Sequence, residues 1–306
     1  MPAPKDTVFA RQVMPRAMRF SGGDDETVVK ELTQRIDVMV KRGNRQSGSW
    51  TMHAFAIDDD DGLARARAIG KRLMAHVRER QPEFSRRYIN TDAFAEGVRQ
   101  GSDFVLQIYV PAQDDLWFSA APVSEGLSLF EAGFQRMKTL RGAPSRSASK
   151  LEEALSHLGE RPVVGQTAVD LGAAPGGWSF VLARHGATVY AVDHAKLDVK
   201  AFVGLKGRVE HVVANGLTYT PPIPVDWLVC DMVMGARDSL AVLRQWLEAS
   251  AMRRFIVNIK LPSSHPWPQV LDALELLAGC GWAKVTARHL LHDRSEITLM
   301  GLKVKN

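Results

Sequence analysis

The stretch Asp170-Leu171-Gly172-Ala173-Ala174-Pro175-Gly176-Gly177-Trp178 has the residue types and spacing from which a small-molecule pocket can be built. It follows the strand-like run Thr167-Ala168-Val169 and precedes Ser179-Phe180-Val181-Leu182-Ala183-Arg184, which reads as a helix. Glycine lets the backbone approach a guest where a Cβ would collide, and a helix N-terminus offers unpaired N–H groups and a partial positive charge. Strand, glycine turn and helix together make a nucleotide pocket. The glycines at 172, 176 and 177, with Pro175 among them, miss the G-x-G-x-x-G spacing of a dinucleotide site, and such a turn is too wide for a pyrophosphate grip of the usual kind. Polar groups stand where a nucleoside needs them. Asp193 closes the second strand-like run, where a carboxylate can accept from ribose hydroxyls; Asn215-Gly216 follows the third and can address an adenine edge; Asp231 closes the fourth. A strand-terminal Asp is also a common turn former, so these positions gain meaning from converging on one crevice.

The elements that position them repeat along the second half. Strand-like runs fall at 166–172, 187–193, 209–214, 225–231, 254–260, 284–290 and 297–304, with helical patterns at 176–185, 238–250 and 267–279. Early alternation of strand and helix predicts a parallel, doubly wound sheet with right-handed crossovers. The last two runs are joined only by Leu291-His292-Asp293-Arg294-Ser295-Glu296, too short for a crossover helix, so they must pair antiparallel. Seven strands ending in an antiparallel pair resemble the plan of S-adenosylmethionine-dependent methyltransferases, whereas a nicotinamide dehydrogenase does not usually end so.

The first half predicts a smaller α+β domain. Val8 to Met14 reads as a strand, broken at Ser21-Gly22-Gly23. Asp24 or Asp25 then caps a helix with Val29, Leu32, Ile36, Met39 and Val40 at helical spacing, ended by Gly43. Trp50 to Ile57 reads as a strand. Asp58-Asp59-Asp60-Asp61-Gly62 lacks the alternating ligands and closing Glu of a calcium loop and reads as a turn and helix N-terminus. The next helix puts Leu63, Ala66, Ile69, Gly70, Leu73 and Val77 on one face and most of Arg65, Arg67, Lys71, Arg72, Arg78 and Arg80 on the other. Runs at 104–110 and 116–120 read as a hairpin. Domains are expected at 1–125 and 147–306, with a linker at 126–146. After the linker, Ser149 and Glu152 have capping-box spacing, and Lys150 sits in the first helical turn, where a cation is electrostatically misplaced.

Composition narrows the class. The chain has 306 residues, a formal net charge of +5 and two cysteines, Cys230 and Cys280, without C-x-x-C spacing. Neither a disulfide framework nor a metal site is expected. The absence of a long apolar run or a signal-peptide pattern makes a cytoplasmic location the expectation. The positive charge favours a polyanionic partner, and its clustering on one helix is the stronger sign.

Four further segments carry a family resemblance. With the glycine turn, Ser-Arg-Ser-Ala-Ser-Lys150, Val-Cys-Asp231-Met-Val, Asn-Ile-Lys260-Leu-Pro and His-Asp-Arg-Ser-Glu296 resemble the ordered Lys, Asp, Lys, Glu tetrad of FtsJ-type ribose 2′-O-methyltransferases. Ala-Pro-Ser-Arg-Ser, Cys-Asp-Met-Val, Lys-Leu-Pro and His-Asp-Arg look like the ribosomal RNA large subunit methyltransferase M branch, strongly from about 143 onward and loosely before it. The resemblance implies S-adenosylmethionine-dependent 2′-O-methylation of a cytidine in large-subunit (23S) ribosomal RNA by a monomer. Another RNA as substrate, or a non-catalytic RNA-binding protein on the same fold, are the alternatives. It implies Lys150, Asp231, Lys260 and Glu296 as the catalytic set and an RNA-binding THUMP domain in the first half. The cofactor set it implies is Ser147, Asp170, Gly172, Ala174, Pro175, Gly176, Gly177, Trp178, Asp193, Asn215 and Asp231, with Ser147 and the turn on the methionine end, Asp193 on the ribose and Asn215 on the adenine. The sequence departs from the branch at Asn215, where Asp is expected, and looks short of a further small domain ahead of the THUMP region. Lys260 as base must be neutral. Lys150 and desolvation push it that way, Asp231 and Glu296 oppose, and sequence does not show which prevails.

Overall fold

The computed structural model describes residues 8–22, 24–41, 48–97, 102–112, 114–135 and 140–303. Contacts divide them into one unit of residues 10–135 and a second of Val8, Phe9 and residues 140–303.

The first unit is α+β. Its elements are β1 (Met18–Ser21), α1 (Asp25–Lys41), β2 (Trp50–Phe55), α2 (Asp60–Arg80), the short α3 (Pro82–Ser85) and α4 (Thr91–Glu96), β3 (Phe104–Ala112) and β4 (Asp115–Pro122). The sheet order is β1-β4-β3-β2, with β2 and β3 parallel and the other neighbours antiparallel. Asp24 starts α1 by accepting the Thr27 N–H at 2.8 Å, and the helix then buries Val28, Leu32 and Ile36 at four-residue spacing. Asp59 caps α2 through the Gly62 N–H at 3.0 Å, with Asp60 and Asp61 in the first turn. Ala66, Ile69, Leu73 and Val77 bury the inner face of α2. Arg67, Lys71, Arg72, Arg78 and Arg80 lie exposed on the other, whereas Arg65 is tied to Asp25 at 2.8 Å. The expected end of α1 at Gly43 lies outside the described residues.

Two local expectations are corrected here. Val8 to Met14 is not a strand: Pro15 lacks an N–H, and Gln107 and Ser119 hold the carbonyls of Val13 (3.0 Å) and Pro15 (2.6 Å) with side chains instead of a ladder. Val8 is buried in the core of the second unit, its carbonyl accepting the His289 N–H at 2.7 Å. Residues 126–135, expected as part of a linker, pack within the first unit, where Gln12 binds the Ser128 carbonyl and Glu131 accepts the Ala54 N–H.

The second unit contains α5 (Ala148–Leu158), β5 (Thr167–Leu171), α6 (Gly177–His185), β6 (Thr188–Val192), a 3-10 turn (Val199–Phe202), β7 (Arg208–Val212), β8 (Val225–Cys230), α7 (Ala236–Glu248), β9 (Met252–Lys260), α8 (Trp267–Gly279), β10 (Lys284–Arg288) and β11 (Glu296–Leu302). The seven strands run in the order β10-β11-β9-β8-β5-β6-β7. Strands β9, β8, β5, β6 and β7 are parallel, and β11 is antiparallel to both neighbours. Alternate residues feed two cores. Trp227 and Val229 of β8 pack with α5 and α6, whereas Leu228 and Cys230 pack with α7 and α8. Edge strand β7 carries Arg208, Glu210 and His211, which suits an edge that must not recruit another strand.

The capping box is also absent. Helix α5 starts two residues earlier than that pattern requires, with Ser147 at its N-cap and no side-chain cap bond. Glu152 is buried and turned to His185 at 3.0 Å. Among the described residues no helix is long and apolar enough to cross a membrane, and no group of three or more His, Cys, Asp or Glu could hold a metal ion.

Candidate active site

The carboxyl ends of β5 to β9 meet the first residue of β11 along one rim of the sheet. The glycine turn lies at the end of β5. Gly176 has φ +116°, a backbone that L side chains rarely adopt. A Cβ on Gly177 would lie 2.1 Å from Ser145 Oγ and 2.9 Å from Ser147 Oγ, two hydroxyls that pair at 2.6 Å. Loop 144–147 therefore closes onto the N-terminus of α6. The peptide between Ala174 and Pro175 is cis.

Asp193 braces this turn from the next strand. Its Oδ2 accepts the Ala174 N–H at 3.0 Å and its Oδ1 the Ala195 N–H at 2.8 Å. Asn215 is exposed, and its amide oxygen accepts the Leu217 N–H at 3.0 Å, so the atom expected to meet an adenine amino group also holds its own turn. Met232 lies between two glycines: a Cβ on Gly172 would meet its Cγ at 2.2 Å, and one on Gly216 its Sδ at 2.8 Å. Asp170 and Trp178 support the turn from inside. Asp170 accepts the Ser179 hydroxyl at 2.7 Å, and burial pushes its carboxyl up to about 7. The Trp178 indole N–H donates to the Ser147 carbonyl at 3.0 Å.

Lys150, Asp231, Lys260 and Glu296 converge although they come from α5, the end of β8, the end of β9 and the start of β11. Glu296 bridges the lysines, with Oε1 accepting from Lys150 Nζ and Oε2 from Lys260 Nζ. Lys260 Nζ also donates to Asp231 Oδ1 at 3.0 Å. The Glu296 side chain is 5% exposed and that of Lys260 26%. Burial pulls the Lys260 ammonium down, but hydrogen bonds and charge from Glu296 and Asp231 outweigh it, leaving its pKa above the ordinary 10.5. Burial likewise raises Glu296, but its bonds to Lys150 and Lys260 prevail and its pKa is lowered. The carboxylates thus win the contest that sequence leaves open, and Lys260 is charged at rest. Two ammonium groups and two carboxylates compensate one another, which lets the cluster sit partly out of water. Such a group can bind a hydroxyl and take its proton once Lys260 has given one up.

Three polar residues behind the tetrad escape the sequence reading. Asn258 Nδ2 donates to Asp231 Oδ1 at 2.8 Å, the Thr298 hydroxyl lies 2.7 Å from Asn258 Oδ1, and Asp293 Oδ2 lies 3.1 Å from Thr298 Oγ1. A signal exists for two of them. Asn258 stands two before Lys260 and Thr298 two after Glu296, and a strand puts such neighbours on one face.

The sequence profile of the FtsJ-like methyltransferase family matches residues 143–261. The chain is 43% identical over 171 residues to a ribosomal RNA large subunit methyltransferase M of Halorhodospira halophila, covering 55% of this chain and 50% of that one, about half its length. It is 37% identical over 301 residues to the protein of the same name from Thauera aminoaromatica, covering 95% of this chain and 78% of that one. Among solved structures, the magnesium protoporphyrin IX methyltransferase of Synechocystis PCC 6803 is similar at a TM-score of 0.36 and 18% identity, over 51% of this chain and 78% of that one. Sequence identity sustained across both units, together with the family profile over the glycine turn and Lys260, places this chain in the ribosomal RNA large subunit methyltransferase M family.

Proposed function

We propose that the protein transfers the methyl group of S-adenosylmethionine to the ribose 2′-hydroxyl of a cytidine in large-subunit ribosomal RNA. The observation that carries this reading is the bridging of Lys150 and Lys260 by Glu296 beside the glycine turn. A 2′-hydroxyl is a poor nucleophile until it loses its proton, so the site needs an acceptor held in place and an in-line approach to the donor.

The residues present fit the cofactor. The bare backbone of the glycine turn and the N–H groups at the start of α6 suit the methionine end, which Ser147, Gly172 and Ala174 to Gly177 would hold. Asp193 keeps lone pairs beyond its two backbone bonds for ribose hydroxyls, and Asn215 and Met232 border the adenine end. Asp231 bonds Lys260, and the next residue, Met232, packs against Gly172 of the turn. When bound, S-adenosylmethionine supplies a methyl group activated by its sulfonium. Lys260 accepts the hydroxyl proton; Lys150, Asp231 and Glu296 orient it. Lys260 is charged at rest, so it must shed its proton to solvent before the step. The first unit, with its exposed basic face on α2, serves as a THUMP-like RNA-binding module.

Mapping ribose methylation in ribosomal RNA from cells lacking the protein, with and without a restoring copy, tests the reading. Loss and recovery of one 2′-O-methylcytidine is expected. An unchanged ribosomal map with a methyl lost from another RNA would redirect the substrate, and no change in any RNA would point to a non-catalytic binder.

A further inference from the structure

One buried carboxyl beside the tetrad has no part in the chemistry above. Asp293 lies in the turn between β10 and β11, its side chain 0% exposed. Its Oδ2 accepts the Leu290 N–H at 2.9 Å and lies 3.1 Å from Thr298 Oγ1. Its Oδ1 has no hydrogen-bond partner and faces Lys150 Nζ at 3.7 Å. An unsatisfied buried carboxyl oxygen is costly, and its retention beside an active-site lysine calls for an explanation.

Thr298 supplies one. Its hydroxyl has a single proton and two acceptors, Asn258 Oδ1 at 2.7 Å and Asp293 Oδ2 at 3.1 Å. If the proton goes to the nearer Asn258, the contact with Asp293 is satisfied when Asp293 is itself protonated and donates. A chain then runs Asp293 to Thr298 to Asn258 to Asp231, every contact donor to acceptor. When Asp293 is ionised that chain opens at Thr298, and the new charge is answered by Lys150.

We propose that Asp293 is a positioning residue for methyl transfer: ionised, it holds the Lys150 ammonium between itself and Glu296, and protonated, it releases Lys150 onto Glu296 alone. The role in catalysis rests on the methyl-transfer reading; the coupling to Lys150 does not. The charged groups facing the Asp293 carboxyl are Lys150 on α5 and Glu296 on β11; Glu153 on α5 accepts the Leu291 N–H in the same turn, and His292 and Arg294 are its sequence neighbours. Burial raises the Asp293 carboxyl to about 6, with the Leu290 N–H and Lys150 opposing and Glu296 reinforcing. His292, next to it in the turn, is lowered by burial and by Lys150.

The test uses the full chain in two measurements. In the first, the lysine side-chain NMR signals of selectively labelled protein are followed against pH without substrate. The Lys150 signal is expected to move with a midpoint near 6 in wild type, to lose that step in Asp293→Asn, and to regain it in Asp293→Glu. In the second, methyl transfer from labelled S-adenosylmethionine to unmodified ribosomal RNA is measured from roughly pH 5 to 9, with cofactor binding measured separately. Asp293→Asn is expected to lower kcat about 10- to 100-fold above pH 7, leave cofactor affinity and KM near wild type, and erase the acid inflection. A Lys150 step that persists in Asp293→Asn overturns the coupling, and so does a parallel loss of cofactor affinity and kcat, which marks a structural role. Wild type that is inactive on this RNA while its Lys150 step remains overturns the methyl-transfer reading and upholds the coupling.

Discussion

Glu296 stands directly opposite Lys260 in the antiparallel pairing of β11 with β9, and two residues deeper Thr298 stands opposite Asn258. The ion pair is therefore fixed by strand register. A slip of one residue would turn Glu296 to the other face and separate it from both lysines.

Replacing Glu296 with Gln removes the shared counter-charge and leaves two ammonium groups around a neutral amide. The Lys260 pKa, now held above 10.5, is expected to fall, so the alkaline limb of the rate profile moves to lower pH while kcat drops. Breaking a buried pair in this way should cost about 3 kcal/mol of stability. Rate profiles and urea midpoints of the variant check both, and an alkaline limb that stays put would remove Glu296 from the control of Lys260.

Lys260→Ala is expected to abolish methyl transfer while leaving S-adenosylmethionine affinity within a few-fold of wild type. Labelled-methyl incorporation and calorimetry measure the two separately. Comparable turnover in the variant would mean that another group accepts the proton.

Asp170 should make stability fall with rising pH. Its folded pKa of about 7 exceeds the ordinary 3.8, so the folded state holds a proton that the unfolded chain releases. Its contribution is complete below 3.8, declines as pH rises through about 7, and is flat beyond. Asp170→Asn removes that slope. The stability difference between variant and wild type should move in favour of the variant between pH 5 and 8, as read from urea unfolding; a constant difference would place the Asp170 pKa at its ordinary value.

At Gly177, alanine would drive a Cβ to 2.1 Å from Ser145 Oγ. Gly177→Ala should cost about 1–3 kcal/mol and weaken cofactor binding. Adding Ser145→Ala should restore part of both, because the colliding hydroxyl is then gone. A double variant no better than the single would assign the loss to something other than that collision.

For the exposed basic face of α2, neutralising Arg67, Lys71, Arg72 and Arg78 together should weaken RNA binding and flatten its salt dependence by about one unit for each phosphate no longer neutralised. Arg65 is left out because Asp25 already engages it. Unchanged affinity and slope would make this face an ordinary solvated surface.

The second unit is largely legible in the sequence because its central strands are buried on both faces and so stand out as mostly apolar runs, such as Val225 to Cys230, interrupted only by Asp226, and Phe255 to Ile259, interrupted only by Asn258. The short link before Glu296 dictates the antiparallel ending, though not the insertion of β11 between β9 and β10, which follows from long-range pairing. The start of α5 is not legible, because Ser149 and Glu152 match a local capping pattern while tertiary contacts claim Glu152 for His185. Val8 to Met14 has strand-like composition, but no strand among the described residues offers it a ladder. Asp293 lies within a segment whose legible property is its shortness, since nothing in a single sequence reveals burial of a turn carboxylate or its distance from a lysine 143 positions earlier.

The placement of β11 also has a biosynthetic consequence. This strand is translated after the other six yet occupies an interior slot, and Glu296 follows Lys260 by 36 positions. At about 5–20 residues per second, the ribosome delivers the lysine some seconds before the carboxylate that sets its charge. A nascent chain halted anywhere in that interval has an open edge on β9 and lacks the carboxylate that bridges its two lysines. The last strand to emerge is thus the one that brings the two lysines under a common counter-charge.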